Sequence, residues 1–221
     1  MANGLKLYSY WRSSAAYRVR IALNLKGLDY EILPVHLVRD GGEQHRPEYR
    51  KINPQELVPV LVDGRRVIRQ SMAIVEYLDE TYDGELALLP PTARDRARVR
   101  ALAMVVACDI HPLNNTRVLR FLEREFGADE GARGRWVRHW IEEGFASFEE
   151  LVARHPSTGQ FCEGDTPTLA DICLVPQVYN ARRFDVDVSR FPTIQAIDAA
   201  CMELNAFQRA SPENQPDAEV K

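Results

Sequence analysis

The chain reads as an α/β domain followed by an all-helical one. Three observations predict this. In residues 1–84 short apolar runs alternate with patterns of helical period. A stretch ending in Leu-Leu-Pro-Pro, Gly84 to Pro91, then interrupts the texture. Across 92–221 every apolar pattern has helical spacing and no hairpin signal follows. A length of 221 residues suits one or two domains.

Each element has a local reason. Leu5 to Ser9 is an apolar-rich run suited to a buried strand. From Ser13 to Leu25, Ala15, Val19, Ala22 and Leu23 keep helical spacing, and Gly27 supplies a stop. Tyr30 to Leu37 reads as a strand that Pro34 assigns to a sheet edge. After a stretch with room for one short helix, Val58–Val62 and Arg66–Ile68 flank Asp63-Gly64 as a hairpin. Ser71 is then expected to cap a helix carrying Ile74, Leu78 and Tyr82. In the second domain Leu102, Val105, Val106, Asp109 and Leu113 share a face of one long helix, which Pro112 is expected to bend. A helix over Arg135–Val152, a capping arrangement at Thr168-Leu-Ala-Asp171 and a last helix after Pro192 follow. Ser211 to Lys221 is polar with two prolines and is expected to be loosely ordered.

Composition excludes several classes. Hydrophobic residues make up 45% and charged residues 27%, which supports a real core. A net charge of -4 argues against strong nonspecific binding to nucleic acid or an anionic membrane. The longest apolar run, Ala101 to Cys108, is far short of a bilayer span of about 20 residues. No signal peptide is visible at the start. Cys108, Cys162, Cys173 and Cys201 lack paired spacing, so structural thiols in a reducing cytoplasm are expected. No metal-ligand spacing exists, and His36, His45, His139 and His155 show no partner pattern.

Three places in the first domain have the chemistry to hold a ligand. At Arg12-Ser13-Ser14 a helix begins, where unpaired N–H groups attract an anion and a hydroxyl lowers a bound thiol's pKa. At Val58-Pro59 a cis peptide would turn the backbone of Val58 outward to pair with an extended ligand. At Gln70-Ser71 another helix start offers a carboxylate cradle. In isolation, spacing favours a plain cap at Ser13 or Ser14 and an ordinary trans proline at Pro59, and a plain cap at Ser71 fits at least as well as a ligand site. Their coincidence in one small domain favours the ligand reading.

The run Tyr8-Ser-Tyr-Trp-Arg-Ser-Ser-Ala-Ala-Tyr-Arg-Val-Arg-Ile-Ala-Leu23 resembles the signature of zeta-class glutathione transferases. That family includes maleylacetoacetate isomerases and maleylpyruvate isomerases. Further blocks keep register: Asn53-Pro54, Val58-Pro59, Gln70-Ser71-Met-Ala-Ile74, Asp109-Ile-His-Pro-Leu-Asn-Asn115, Gly164-Asp165, Leu169-Ala-Asp171, Leu174-Val-Pro-Gln-Val178 and Arg182-Arg183-Phe-Asp-Val-Asp187. The resemblance implies a thioredoxin-like first domain, the glutathione transferase fold, glutathione as cofactor, a small dicarboxylate substrate and a homodimer. It implies that Ser13 and Ser14 lie near the glutathione sulfur. Val58 would pair with the cysteinyl backbone, and Gln70 and Ser71 would hold the γ-glutamyl end. Gln44 and His111 match further contact positions, with Asn115, Thr116 and Arg117 on the helical side. Arg183 matches a carboxylate-binding arginine; Arg12 is a second candidate and Arg117 a third. Many family members read Ser-Ser-Cys, whereas here Ala15 follows the serines, so the nucleophile must be glutathione's own thiol.

Such an enzyme isomerises a maleyl double bond by thiolate addition. The adduct's single bond rotates, and expulsion of the thiolate returns glutathione. The expected activity is conversion of maleylacetoacetate to fumarylacetoacetate. Alternatives are maleylpyruvate isomerisation, transfer to small α-halo acids, or a non-catalytic binding protein of the same fold.

Overall fold

A computed structural model describes residues 4–83 and 86–219. The chain forms two compact units, Met1–Leu88 with Glu203–Lys221, and Leu89–Met202. The sequence placed all of 92–221 in the second domain. The difference arises because the end of the chain finds its apolar and polar partners in the first unit. Of the expected linker, Gly84 and Glu85 lie outside the described residues.

The first unit holds a four-stranded sheet of order β2-β1-β3-β4. Its strands are β1 (Leu5–Ser9), β2 (Tyr30–Pro34), β3 (Val60–Asp63) and β4 (Arg66–Arg69). The β1–β2 pair is parallel, with Ser9 opposite Pro34; β1–β3 and β3–β4 are antiparallel. Four helices accompany it: α1 (Ser14–Leu25), α2 (Pro47–Ile52), α3 (Ser71–Thr81) and, late in the chain, α9 (Asn205–Ala210). α1 packs on both α3 and α9. Gly27, at φ +64°, takes the left-handed conformation that lets the chain leave α1. The core gathers Leu7, Val19, Ile21, Leu23, Leu61, Ile74 and Leu78, all essentially inaccessible.

Several boundaries differ from expectation. β2 stops at Pro34 rather than Leu37, because the His36 ring accepts the backbone N–H groups of Val38 (3.2 Å) and Arg39 (2.7 Å) and draws the chain out of the ladder. β3 starts at Val60 rather than Val58, directly after the cis Val58-Pro59 bond. Gln70, not Ser71, is the N-cap of α3. The polar C-terminal segment is built rather than loose through Glu219, with Val220 and Lys221 outside the described residues. Gln215 is buried and donates to the carbonyls of Arg209 and Ser211, and Asn214 donates to that of Gln208.

The second unit is helical: α4 (Ala93–Met104), α5 (Thr116–Phe126), α6 (Glu130–Ala153), α7 (Leu169–Arg183) and α8 (Pro192–Met202). Pro112 does not bend a helix; the backbone after α4 winds as a π-helix over Val105–Ile110, and Pro112, lacking an N–H, stands in the turn that ends it. α6 lies against this segment at Gly144, where a Cβ would sit 2.2 Å from Ile110, so only glycine permits the approach. The expected capping box is present at Thr168 and Asp171.

Candidate functional site

The register of the sheet brings the N-terminal candidates to one end. Tyr8 pairs with Val60, and Val60 with Arg69. The end of β1, the start of β3 and the end of β4 are therefore adjacent. The loop Arg12–Ser14, Val58 and the pair Gln70–Ser71 extend from that shared edge. The segment carrying Gln44 also leaves from there, since β2 ends opposite Ser9 and the Val35 N–H bonds the Ser9 carbonyl at 2.8 Å.

Ser13 caps α1: its hydroxyl oxygen accepts the Ala16 N–H at 3.2 Å. That bond uses a lone pair and leaves the hydroxyl hydrogen available to donate. Capping and thiol activation are thus compatible in one side chain. Ser14 is the first helical residue, half-buried beside it. The Arg12 guanidinium lies over the Trp11 ring, 5.2 Å from its centroid.

The start of α3 has no side-chain cap. Gln70 has φ 70° and ψ 119°, makes no side-chain cap, and sends its amide to Gln55 at 2.9 Å. The first intrahelical bond runs from the Ile74 N–H to the Gln70 carbonyl. N–H groups before it carry the helix's partial positive charge. Ser71 is buried, and its oxygen accepts from Arg18 Nη1 at 3.4 Å, again leaving its hydroxyl hydrogen to donate. Val58 stands outside the ladders, and no hydrogen bond to its N–H or C=O is seen among the described residues. The Tyr49 hydroxyl and the Asn53 amide both donate to the preceding Leu57 carbonyl, at 2.7 and 2.8 Å, which fixes the peptide leading into Val58. Burial raises the Tyr49 phenol, so it stays protonated and keeps donating.

Gln44 is buried after Gly42, with its amide nitrogen on the Leu37 carbonyl (3.3 Å) and on His45 Nε2 (3.1 Å). Its buried amide oxygen has no partner among the described residues. Because His45 Nε2 accepts, its Nδ1–H donates to Glu56 at 2.7 Å. His36 has the opposite tautomer: Nδ1 accepts two backbone N–H groups, so Nε2–H donates to Glu219 at 2.9 Å. Neither histidine shows a partner pattern in the sequence; both fix loops at this end of the sheet.

In the second unit His111 follows the π-helical stretch, and Asn115 caps α5 through the Arg117 N–H at 3.1 Å. Thr116 and Arg117 are exposed on its first turn. Arg183, exposed at the end of α7, lies over the Phe184 ring at 5.5 Å, apart in sequence and element from Asn115–Arg117.

The comparisons decide the family. Residues 7–86 match the model for the glutathione S-transferase N-terminal domain. A Vibrio cholerae protein described as "Probable maleylacetoacetate isomerase" is 55% identical, over 97% of this chain and 98% of that one. The chain belongs to the zeta-class glutathione transferases. A holo structure of a bacterial zeta-class maleylpyruvate isomerase is 53% identical with a TM-score of 0.94, covering 97% of this chain and all of that one. A maleylacetoacetate isomerase from Anaeromyxobacter dehalogenans, solved with dicarboxyethyl glutathione and citrate in its active site, is 45% identical with a TM-score of 0.85, covering 98% of each chain. The glutathione transferase fold, with its thioredoxin-like first part, follows from these likenesses.

Sequence reasoning missed Arg18 and Arg20 of this zeta-class chain. Both are buried, and Arg20 is inaccessible. Its guanidinium donates to the Tyr10 and Trp11 carbonyls, to the Ser9 hydroxyl and to the Ala210 carbonyl, between 2.9 and 3.4 Å. Burial lowers its pKa to about 10, so it remains charged at neutral pH. The signal was present as Arg-Val-Arg within an otherwise apolar helix face.

Proposed function

We propose that this protein is a glutathione-dependent cis–trans isomerase converting maleylacetoacetate to fumarylacetoacetate. The observation that carries the reading is Ser13: a hydroxyl at a helix start, its acceptor side used by the Ala16 N–H and its hydrogen left for a thiolate. Glutathione lies extended along the sheet end. Val58 pairs with its cysteinyl backbone, and the α3 start with Gln70 and Ser71 takes the γ-glutamyl carboxylate. Gln44, His111, Asn115, Thr116 and Arg117 supply further contacts.

Ser13, with Ser14 beside it, donates to the sulfur and favours its ionised form. The thiolate attacks the alkene carbon conjugated to a carbonyl, and the electron pair moves onto the carbonyl oxygen. The resulting enolate has a single bond about which it rotates, and collapse expels the thiolate unchanged. Arg12 and Arg183 hold substrate carboxylates, a task for which a planar guanidinium fork suits better than an ammonium. A relative holding dicarboxyethyl glutathione, glutathione bearing a saturated two-carboxylate group, supports addition at sulfur. Ala15 confines the nucleophile to glutathione.

Maleylpyruvate is the second reading, favoured by the 53% identity to the maleylpyruvate isomerase. The active protein is a homodimer working in the cytoplasm; Cys108, Cys162, Cys173 and Cys201, which form no disulfide among the described residues, and the need for reduced glutathione support that compartment. The test is purified protein with each maleyl compound, with and without glutathione. Loss of the maleyl absorbance is expected only with glutathione, faster for maleylacetoacetate; equal rates without glutathione overturn the mechanism.

A further inference from the structure

The turn that delivers Ser13 is held at its backbone by groups remote in sequence. Its carbonyls at Tyr10 and Trp11 are taken by Arg20. The Trp11 N–H is taken by Asp217 Oδ2 at 3.0 Å, across 206 residues. Both faces of the Trp11 residue are thereby fixed, two positions before the capping serine. The Ser13 N–H in turn bonds the Tyr10 carbonyl at 3.0 Å.

Asp217 arrives on a segment that is itself rigidly closed. Ala210 anchors one end through its carbonyl to Arg20 Nε at 2.9 Å. Gln215 and Asn214 then fold the intervening residues onto the end of α9. Beyond Asp217, Ala218 packs against the cluster of Tyr10, Trp11, Val35, Tyr49, Val58 and Val60. Glu219 accepts from His36 and lies 3.6 Å from Arg39. Three consecutive residues thus touch the Ser13 turn, the Val58 cluster and the segment leading to Gln44.

We propose that Asp217–Glu219 is a clasp that positions the thiol-activating turn, with Asp217 the positioning residue acting through the Trp11 N–H. The proposal rests on the reading of Ser13 as donor to the glutathione sulfur. Without the clasp the turn relaxes, the Ser13 hydroxyl leaves its line to the sulfur, and the bound thiol loses its acidity. Glutathione binding changes little, because the α3 start and Val58 are separate anchors. Glu219 is more than half exposed, so its ion pairs contribute little and Asp217 dominates.

The experiment titrates glutathione bound to the full-length protein by its thiolate ultraviolet absorbance, alongside kcat and KM, in wild type, Ser13→Ala, Asp217→Ala and Asp217→Asn. An asparagine oxygen still accepts the Trp11 N–H. Expected for Asp217→Ala are a rise of about one pH unit in the thiol midpoint and about a tenfold fall in kcat. Glutathione KM should stay within about twofold, since the anchoring N–H groups are elsewhere. Asp217→Asn should restore most of both. A raised midpoint in Ser13→Ala with a wild-type midpoint in Asp217→Ala overturns the clasp and leaves the Ser13 reading standing. An unchanged midpoint in Ser13→Ala removes that reading and the clasp with it. Equal losses in the alanine and asparagine variants overturn the Trp11 bond as the link. Should Asp217→Ala not fold, the asparagine variant and Trp11→Pro, which deletes the N–H itself, decide: a wild-type thiol midpoint in the proline variant overturns the proposal, and a raised one supports it.

Discussion

Two helix starts in this molecule are built on opposite principles. At α7 a capping box closes the start. Thr168 accepts the Ala170 N–H, and Asp171 accepts the Thr168 N–H and hydroxyl with one oxygen and the Cys162 N–H with the other. Burial raises the Asp171 carboxyl while those bonds pull the other way. At α3 the cap residue has a positive φ and makes no side-chain cap; its amide goes to Gln55 instead. A saturated start specifies a fold. In the function proposed above, the start without a side-chain cap takes the γ-glutamyl carboxylate.

Variants break or sharpen this contrast in a definite order. Ser13→Ala should lower kcat by about 100-fold, with glutathione still bound in equilibrium dialysis; near-normal turnover would move the role to Ser14 or the backbone. Asp171→Ala should cost about 3 kcal/mol of stability, since it strands two buried N–H groups and removes the box. Urea unfolding measures that loss, and activity per folded molecule should be unchanged. Arg183→Ala should reduce kcat/KM for the maleyl substrate about ten- to a hundredfold, as loss of one charge-assisted contact does, and leave glutathione KM alone; equal losses in both contradict its assignment. Ser71→Ala should weaken glutathione about fivefold with little effect on melting temperature, because the α3 start needs no cap from it.

The smallest effect concerns pH. The Tyr77 and Tyr82 hydroxyls both donate to Asp63 Oδ2, at 2.6 and 2.7 Å, and hold its carboxyl below the usual range. A carboxyl with a depressed folded pKa stabilises the protein above its unfolded value. The contribution is lost as pH falls through the folded value. Tyr77→Phe combined with Tyr82→Phe should therefore lower stability slightly near neutrality, where the contribution is fully present, and move the acid-unfolding midpoint upward. Circular dichroism across an acid titration checks it.

The elements legible in the sequence were those with local causes. The Ser13 cap, the Asp63-Gly64 hairpin and the Thr168–Asp171 box each depend on residues within a few positions of one another. So was the family, through blocks that keep their register. Long-range bonds were not legible. Arg20 looks like a surface charge until its partners at Tyr10, Trp11 and Ala210 are brought around it. Asp217 sits in a polar, proline-containing tail whose composition predicts looseness. Only tertiary contact makes it an acceptor. α5 was not singled out, although Asn115 before it and Gly127 after it, in left-handed conformation, mark both ends. Ser71 was placed one residue out because a glutamine with positive φ has no sequence signature.

The division of the chain has a consequence for its synthesis. A ribosome releases the sheet first, then the whole helical unit, and only at the end α9 and the residues that reach Trp11. Under the proposed clasp, the nascent polypeptide carries its sheet before the carboxylate that accepts the Trp11 N–H has emerged.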